Sequence, residues 1–596
     1  MKFPYGLSDF EKIVTQGYIY CDRTDYIRVL EQGSYQLFLR PRRFGKSLLL
    51  SMLLNYYDVA KVEQFDALFG HLKIGQQPTP AHNAYFVLQW DFSCVDPSGD
   101  AQTIKRSLYN HINGCIEDFA LYYETSLPKR IDIDREDALY SIKSLVAVVR
   151  QTGHPIYLLI DEYDNFANEV LMGARQGKAV YEALVFEEGP LKTLFKTVKS
   201  STKDSMFDRT FITGVSPVVM SDLTSGYNIA ENISTDETYN ALCGFTDEEI
   251  QAILEQIVAE QGDAFKTEAV MQLMRTYYNR HLFAVDATDS IYNPTLALYF
   301  LKYFANKSRF PREMLDTNLA TDDAKLSYIA NIPGGKRLLT DLNQERQEVV
   351  IQKLEGRFGM GQMLSDTSKD RRFLASFLYY FGILTLNGET DEGKLRLTVP
   401  NLVMQQLYVE RLQEMLLPDP MERDDGILAA EQVYTRGNMQ PLADFIEQHY
   451  FAIFRIPDYK WANELTMKTL FLSLLYNDTL YIMDSEPEVE RRFPDLTMII
   501  RPDMRRFKIF DVLIEFKYVQ LHAINKTGEQ VRKSSVEALR QIPLMQREMK
   551  AARQQATDYG DALQRKYPDL RLQRFAVVAV GFERLWWEAV AEPEHE

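Results

Sequence analysis

The chain has 596 residues, a net charge of −17, 46% hydrophobic and 25% charged residues. That length implies about three to four domains rather than one, and the composition is ordinary for globular protein. The acidic balance excludes a general nucleic-acid coat, which needs Lys and Arg facing phosphates, but leaves room for a local basic channel such as Arg501 to Lys508 or Lys526 to Arg553. No apolar run approaches a membrane span and Met1-Lys2-Phe3-Pro4 opens no signal peptide, so a cytoplasmic protein is expected. Cys21, Cys94, Cys115 and Cys243 stand singly, a spacing that suits neither a zinc site nor a disulfide framework, and are expected as small core residues.

Residues 1–35 are mixed, with Tyr18 to Asp22 read as a short strand. From 36 to 245, strands alternate with helical stretches, at Gln36–Leu39, Tyr85–Asp91, Tyr157–Ile160 and Thr210–Val215, which predicts βαβ units and a parallel sheet. Ligands of such sheets sit at the carboxyl ends of the strands. There the sequence places Arg40-Pro41-Arg42-Arg43-Phe44-Gly45-Lys46-Ser47, a phosphate-binding turn between a strand and a helix. Backbone N–H groups at the helix start hold phosphate oxygens, Lys46 reaches the β/γ-phosphates and Ser47 supplies a hydroxyl ligand for Mg²⁺. Arg40 stands where the full pattern has its first glycine. Arg42 and Arg43 add charge to phosphate binding, act across a subunit contact, or pair with local acids such as Asp161 or Asp164. A second apolar run ends in Asp161-Glu162. It is read as the strand beside the phosphate-loop strand, with Asp161 in the Mg²⁺ shell and Glu162 as the base that orients or deprotonates the attacking water. Thr213 and Ser216 are candidate γ-phosphate sensors, and Arg209 a candidate trans-acting finger.

Residues 246–335 are read as a helical, lid-like region that starts at a Thr246 N-cap followed by carboxylates. Residues 336–440 form a helical unit in which Phe373 to Leu386, a short hairpin and a helix from Leu402 suggest a winged helix. Its mixed charge points to packing rather than DNA contact. Asp419-Pro420 to Asp425 is a plausible boundary. In the last segment, 441–596, an apolar run follows Asp495, then a polar turn, then a strand with Glu515 and Lys517 two residues apart on one face. Two carboxylates there suit Mg²⁺ or Mn²⁺, and Lys517 can orient water or stabilise transition-state charge. Glu464, on a preceding helix, is a candidate third acid. The alternative for this segment is an ordinary αβ domain with a surface Glu515–Lys517 ion pair.

With these residues in place the chain resembles, along nearly its whole length, the bacterial AAA-ATPase-like family that joins an N-terminal P-loop domain to a C-terminal PD-(D/E)xK nuclease-superfamily domain. The matching stretches are Phe38 to Ser47, Leu159 to Asp164, Phe211 to Val215, Tyr292-Asn293-Pro294, and Asp495 with Glu515-Phe516-Lys517. The Arg-Pro-Arg-Arg-Phe-Gly-Lys-Ser form is specific to that group, so Arg40 is a family trait. Tyr278-Asn279-Arg280-His281 replaces the family's frequent Tyr-Asn-Gly-Tyr.

The expected fold is therefore α/β and multidomain: a P-loop NTPase parallel-sheet domain over 1–245, the helical lid-like region, the winged-helix-like region, and a restriction-endonuclease-like α/β domain over 441–596. The resemblance implies ATP bound at Arg42, Arg43, Phe44, Gly45, Lys46, Ser47 and Asp161. It implies a catalytic set of Glu162, Asp495, Glu515 and Lys517, and Mg²⁺ or Mn²⁺ at Ser47, Asp161, Glu464, Asp495 and Glu515. The expected activity is ATP hydrolysis coupled to metal-dependent cleavage of nucleic acid, in defence or DNA processing. Oligomers are common among AAA-type ATPases, so a homo-oligomer is among the expected partners, with nucleotide and with nucleic acid at the C-terminal domain. Two rivals are a signalling P-loop switch whose nuclease-like fold only binds, and an assembly factor that binds ATP without hydrolysing it.

Overall fold

The computed structural model describes residues 1–165, 189–202, 206–217, 229–261, 267–316, 348–356, 358, 370–454, 464–484 and 494–591. The chain divides into two compact units, Met1–Ser308 with Val350–Pro400, and Arg309–Val349 with Asn401–Glu596. Both are discontinuous in sequence, so they differ from the four consecutive segments read from the chain.

In the first unit, β1 (Tyr35–Leu39), β2 (Phe86–Asp91), β3 (Ile156–Asp161), β4 (Phe207–Gly214) and the short β5 (Glu231–Asn232) form one sheet in the order β2-β3-β4-β1-β5. The pairs within it are parallel. Strand β3 is buried at every position, as a strand covered on both faces requires. Helix Lys46–Tyr57 packs its Leu50, Leu53 and Tyr57 into the core that Phe38, Tyr157 and Phe211 share from the sheet. Aspartates start the flanking helices: Asp100 accepts from Thr103 N and Asp137 from Leu139 N, each satisfying an amide that the helix itself leaves unpaired.

The strand order corrects one expectation. The strand that ends in Asp161 is not beside the phosphate-loop strand, because β4 lies between them. Tyr18 to Asp22 form no strand. Of the four cysteines only Cys243 is buried, and Cys94 is exposed.

Helices Asp247–Gln261, Thr267–Tyr278 and Pro294–Lys307 follow. The first opens on reciprocal bonds between Thr246 and Glu249, with Thr246 N donating to Glu249 Oε2 at 2.9 Å, a capping box. The winged-helix-like stretch is helix Arg371–Tyr380 and a hairpin of β7 (Thr385–Glu389) with β8 (Leu395–Thr398), joined in one sheet by β6 (Glu348–Ile351). Helix and hairpin belong to the first unit. Tyr379 donates its hydroxyl to Phe283 O at 3.0 Å, and Leu282 N donates to Thr385 Oγ1 at 2.6 Å. Gly382, at φ +78°, lies so close to Pro41 that a Cβ there would meet it at 2.8 Å.

In the second unit, β9 (Tyr481–Asp484), β10 (Leu496–Ile500), β11 (Asp511–Val519), β12 (Leu572–Val580) and β13 (Arg584–Val590) form a mixed sheet in the order β13-β12-β11-β10-β9. Only β11 and β12 pair in parallel, and helix Pro543–Lys566 makes that crossover. Asp419-Pro420 lies within the second unit, where Asp419 caps helix Pro420–Arg436. Part of the local basic enrichment is internal. Arg501 is fully buried and donates to Pro311 O, Arg312 O and Asp478 O. Arg505 pairs with the buried Asp511 at 2.6 Å. Among the described residues no helix is long and apolar enough to cross a membrane.

Gly214, the last residue of β4, has no room for a side chain: a Cβ would stand 2.5 Å from the Tyr163 ring and 2.6 Å from Asp164 Oδ1. Gly214→Ala is expected to cost about 1–3 kcal/mol. Gly114→Ala, inside helix Ala101–Tyr122 with open space around it, is expected to gain roughly 0.5–1 kcal/mol. Chemical denaturation of the two variants checks both signs.

Candidate functional site

The phosphate loop leaves β1 at Leu39 and enters helix Lys46–Tyr57 through Gly45, whose φ of 92° suits a residue without a Cβ. Arg43 adopts φ 66°, a left-handed conformation that costs a non-glycine residue roughly 1–2 kcal/mol. Its carbonyl accepts from the Thr295 hydroxyl at 3.2 Å. Phe44 is buried edge-on against His281 and Phe283, with centroids 5.0 and 5.2 Å away, so it anchors the loop to the helical region. His281, fully buried there, has its pKa pushed down to about 3 by desolvation.

Arg40 is structural. Its guanidinium is buried between the rings of Phe38 and Phe283, at 4.3 and 4.1 Å. It donates to the carbonyls of Leu39, Ser234 and Tyr239 at 2.7–2.8 Å. Burial lowers its pKa to about 10. Lys46 is 5% exposed, and its ammonium donates to Arg40 O at 3.0 Å and Pro41 O at 3.1 Å. Burial lowers its pKa, and the nearby Asp161 and Glu162 oppose that shift.

Asp161 gathers the opposite wall. Its Oδ2 accepts from Ser47 Oγ at 2.6 Å, and its Oδ1 accepts from Thr213 Oγ1 at 2.5 Å and from Glu162 N at 2.9 Å. Two hard oxygen donors from different elements thus stand side by side, a donor set suited to Mg²⁺. Glu162 follows at φ 46°. Its pKa is raised, first by burial, with Lys46 opposing. Arg43, Lys46, Ser47 and Glu162 line one cavity of about 260 Å³ whose apolar side includes Leu7, Met52 and Leu298.

The structure assigns other work to several candidates. Thr213 spends its hydroxyl on Asp161. Ser216 donates its amide and its hydroxyl to Asp164 Oδ2 at 2.8 and 2.9 Å. Arg209 lies near the amino end of β4 and donates to Gly33 O and Glu31 O at 3.0 Å each. Arg42 donates to Asn165 Oδ1 at 2.8 Å. Asn279 is buried beside His281, which exchanges main-chain bonds with Ile291. Asp164 was part of a matching stretch without a role. It is 1% exposed and fixes the turn after β4 through Val215 N and Ser216 N.

In the second unit Asp495 and Glu515 do converge. Leu496 faces Ile514 across the β10–β11 pair, which puts Asp495 beside Glu515. Asp495 N donates to Glu515 Oε1 at 3.1 Å, and Phe516 N donates to Asp495 Oδ2 at 2.7 Å. Lys468, from helix Glu464–Leu475, pairs with Asp495 Oδ1 at 2.6 Å. Sequence reasoning missed Lys468, although it lies one helical turn after Glu464. Glu464 opens that helix, and its side chain is outside the described residues. Lys517 turns its ammonium to Phe516 O at 2.9 Å. Glu515 is 2% exposed. Burial, and next the charge of Asp495, push its pKa far above the carboxylate range, against smaller pulls from Lys517 and Lys468. Among the described residues no cluster of three or more His, Cys, Asp or Glu could hold a metal ion. The carboxylate pair fits a divalent cation as two hard oxygen ligands, with water or substrate oxygens completing the shell.

Residues 4–224 match the family model described as "Predicted AAA-ATPase". An uncharacterized protein from the vnfD 5′ region of Azotobacter chroococcum mcd 1 is 24% identical over 432 residues, covering 70% of this chain and 71% of that protein. Among solved structures, the Walker-type ATPase PABY2304 of Pyrococcus abyssi aligns with a TM-score of 0.37 at 13% identity, over 65% of this chain and 95% of that one. The ORC2 protein of Aeropyrum pernix aligns with a TM-score of 0.32 at 13% identity, over 68% of this chain and 97% of that one. Over residues 4–224, then, this chain carries the sequence pattern of the predicted AAA-ATPase family on a parallel-sheet P-loop fold.

Proposed function

We propose that the N-terminal unit hydrolyses ATP with Mg²⁺, and that nucleotide state governs a C-terminal unit that cleaves nucleic-acid phosphodiester bonds. The contact between Ser47 and Asp161 carries the first half, because it sets two hard oxygens beside Lys46 and Glu162. On nucleotide binding, Lys46 exchanges the carbonyls of Arg40 and Pro41 for phosphate oxygens. Ser47 and Asp161 would hold Mg²⁺, and that ion would supply positive charge against the β/γ-phosphates. Glu162 orients the attacking water and takes its proton, a role that the burial-raised basicity of its carboxylate suits.

The second half rests on the convergence of Asp495 and Glu515. A divalent ion between them would polarise a phosphodiester. Lys517 would stabilise charge on the transition state, and Lys468 would hold the Asp495 carboxylate in place. A gated nuclease suits defence or DNA processing, by association with its chemistry alone. One observation favours the signalling-switch alternative, in which the C-terminal unit binds without cutting: both Asp495 oxygens already have partners, Lys468 and Phe516 N.

Lys46→Ala is expected to abolish nucleotide binding, whereas Glu162→Gln keeps binding and loses phosphate release by about 10²–10⁴-fold. Fluorescent-nucleotide titration and a phosphate-release assay separate the two. For the nuclease, wild type with plasmid, ATP and Mg²⁺ or Mn²⁺ should nick DNA, and Asp495→Ala should not. Equal nicking by both proteins removes the nuclease claim, and ATP hydrolysis with no cutting by either favours the switch.

Glu515 also yields a pH prediction. Its folded pKa lies above the ordinary value of 4.5, so over that interval the folded protein binds a proton that the unfolded chain lacks. Stability therefore falls as pH rises, by up to about 1.4 kcal/mol per pH unit. Without divalent ions, Glu515→Gln should gain on wild type in melting temperature from pH 5 to pH 8. A difference that stays flat across that range contradicts the burial argument.

A further inference from the structure

We propose that Arg43 is a second cationic contact to the terminal phosphates of the nucleotide, supplied in cis from inside the phosphate loop, with Thr295 as its positioning residue. This deepens the ATP reading above and rests on it.

The assignment follows from how the arginines around the loop are used. Arg40 is consumed by three carbonyls and two aromatic rings. Arg42 is turned to Asn165. Arg23, which also lines the cavity, donates to Ala241 O, Gly244 O and Glu249. Arg209 is tied down near the amino end of β4. The Nη1 atom of Arg43 is buried and has no hydrogen-bond partner among the described residues; the Nε atom of Arg40 is likewise unpartnered, but of the two only Arg43 lines the cavity. A buried guanidinium N–H without an acceptor is costly and calls for an explanation. Arg43 lines the same cavity as Lys46, Ser47 and Glu162, and a phosphate oxygen there is the acceptor that the planar guanidinium suits best.

The backbone supports the same assignment. Arg43 is held at φ 66°, and its carbonyl is fixed by the Thr295 hydroxyl at 3.2 Å. The amide of Thr295 is already satisfied by the Asn293 side chain, which caps helix Pro294–Lys307. The hydroxyl is therefore not needed to start the helix and is left to position Arg43. This gives the Tyr292-Asn293-Pro294 stretch a use: it starts the helix that presents Thr295 to the phosphate loop.

The test measures binding of fluorescent ADP and ATP, and the rate of phosphate release, on the full-length chain. Wild type is compared with Arg43→Ala, Arg43→Lys, Thr295→Val, Thr295→Ser and Lys46→Ala, each confirmed as folded by circular dichroism. We expect Arg43→Ala to lose about tenfold or more in phosphate release and to bind ATP more weakly, with a smaller effect on ADP. Arg43→Lys should recover part of the loss. Thr295→Val should share the defect while Thr295→Ser resembles wild type, and wild-type specific activity should not change with protein concentration. Wild-type kinetics in Arg43→Ala, with Lys46→Ala inactive, overturns the proposal and leaves the ATP reading standing. No nucleotide binding by wild type removes the ATP reading itself. Activity that rises with concentration, or that returns when Arg43→Ala is mixed with Glu162→Gln, places Arg43 in trans and overturns the in-cis assignment.

Discussion

The carboxylate of Asp161 is the contact on which the first unit turns. It accepts from Ser47 at the start of the helix after β1, from Thr213 on β4 and from the Glu162 amide. Because β4 separates β1 from β3, Ser47 and Asp161 come from strands that do not touch. The hydroxyl of Thr213 on the intervening strand closes the gap. Asp161 is 5% exposed, and its buried bond to Thr213 lies in a low-dielectric setting, where a missing donor is costly.

The loop that faces this carboxylate is held from behind. Where a phosphate loop more often has glycine, this chain has Arg40, and its guanidinium makes the substitution workable. It is desolvated between two aromatic faces, which favour a cation, and its two terminal nitrogens donate to three carbonyls. Its own carbonyl then accepts the Lys46 ammonium. Phe44, His281 and Phe283 form the adjoining aromatic cluster, and Tyr379 and Gly382 brace it from the stretch after residue 370. The catalytic-type residues are thus mounted on a scaffold drawn from three distant parts of the sequence.

How much of this was legible varied with the range of the interaction. The apolar runs of β1 to β4, and the motif from Arg40 to Ser47, were readable because strand burial and phosphate-binding turns are written locally. The pairing of Asp495 with Glu515 was readable because period-two alternation fixes which side chains share a face. The insertion of β4 between β1 and β3 was not, since strand order in a parallel sheet is set by crossover packing. Thr213 was accordingly read as a phosphate sensor rather than a clamp on Asp161. Lys468 was hidden because its partner Asp495 lies far along the chain, just before a strand. Asp419 was read as a boundary because an Asp-Pro step marks a helix start and a linker equally well, and here it caps a helix.

The interleaving of the two units has a consequence for biosynthesis. Residues as late as Tyr379 and Gly382 pack on residues as early as Pro41 and on Phe283, while Arg309 and its successors belong with a partner that resumes at Asn401. Domains generally form as units as they emerge from the ribosome. This chain departs from that order. Its phosphate-loop sheet is made early, but the first unit is complete only once the stretch up to Pro400 has been made.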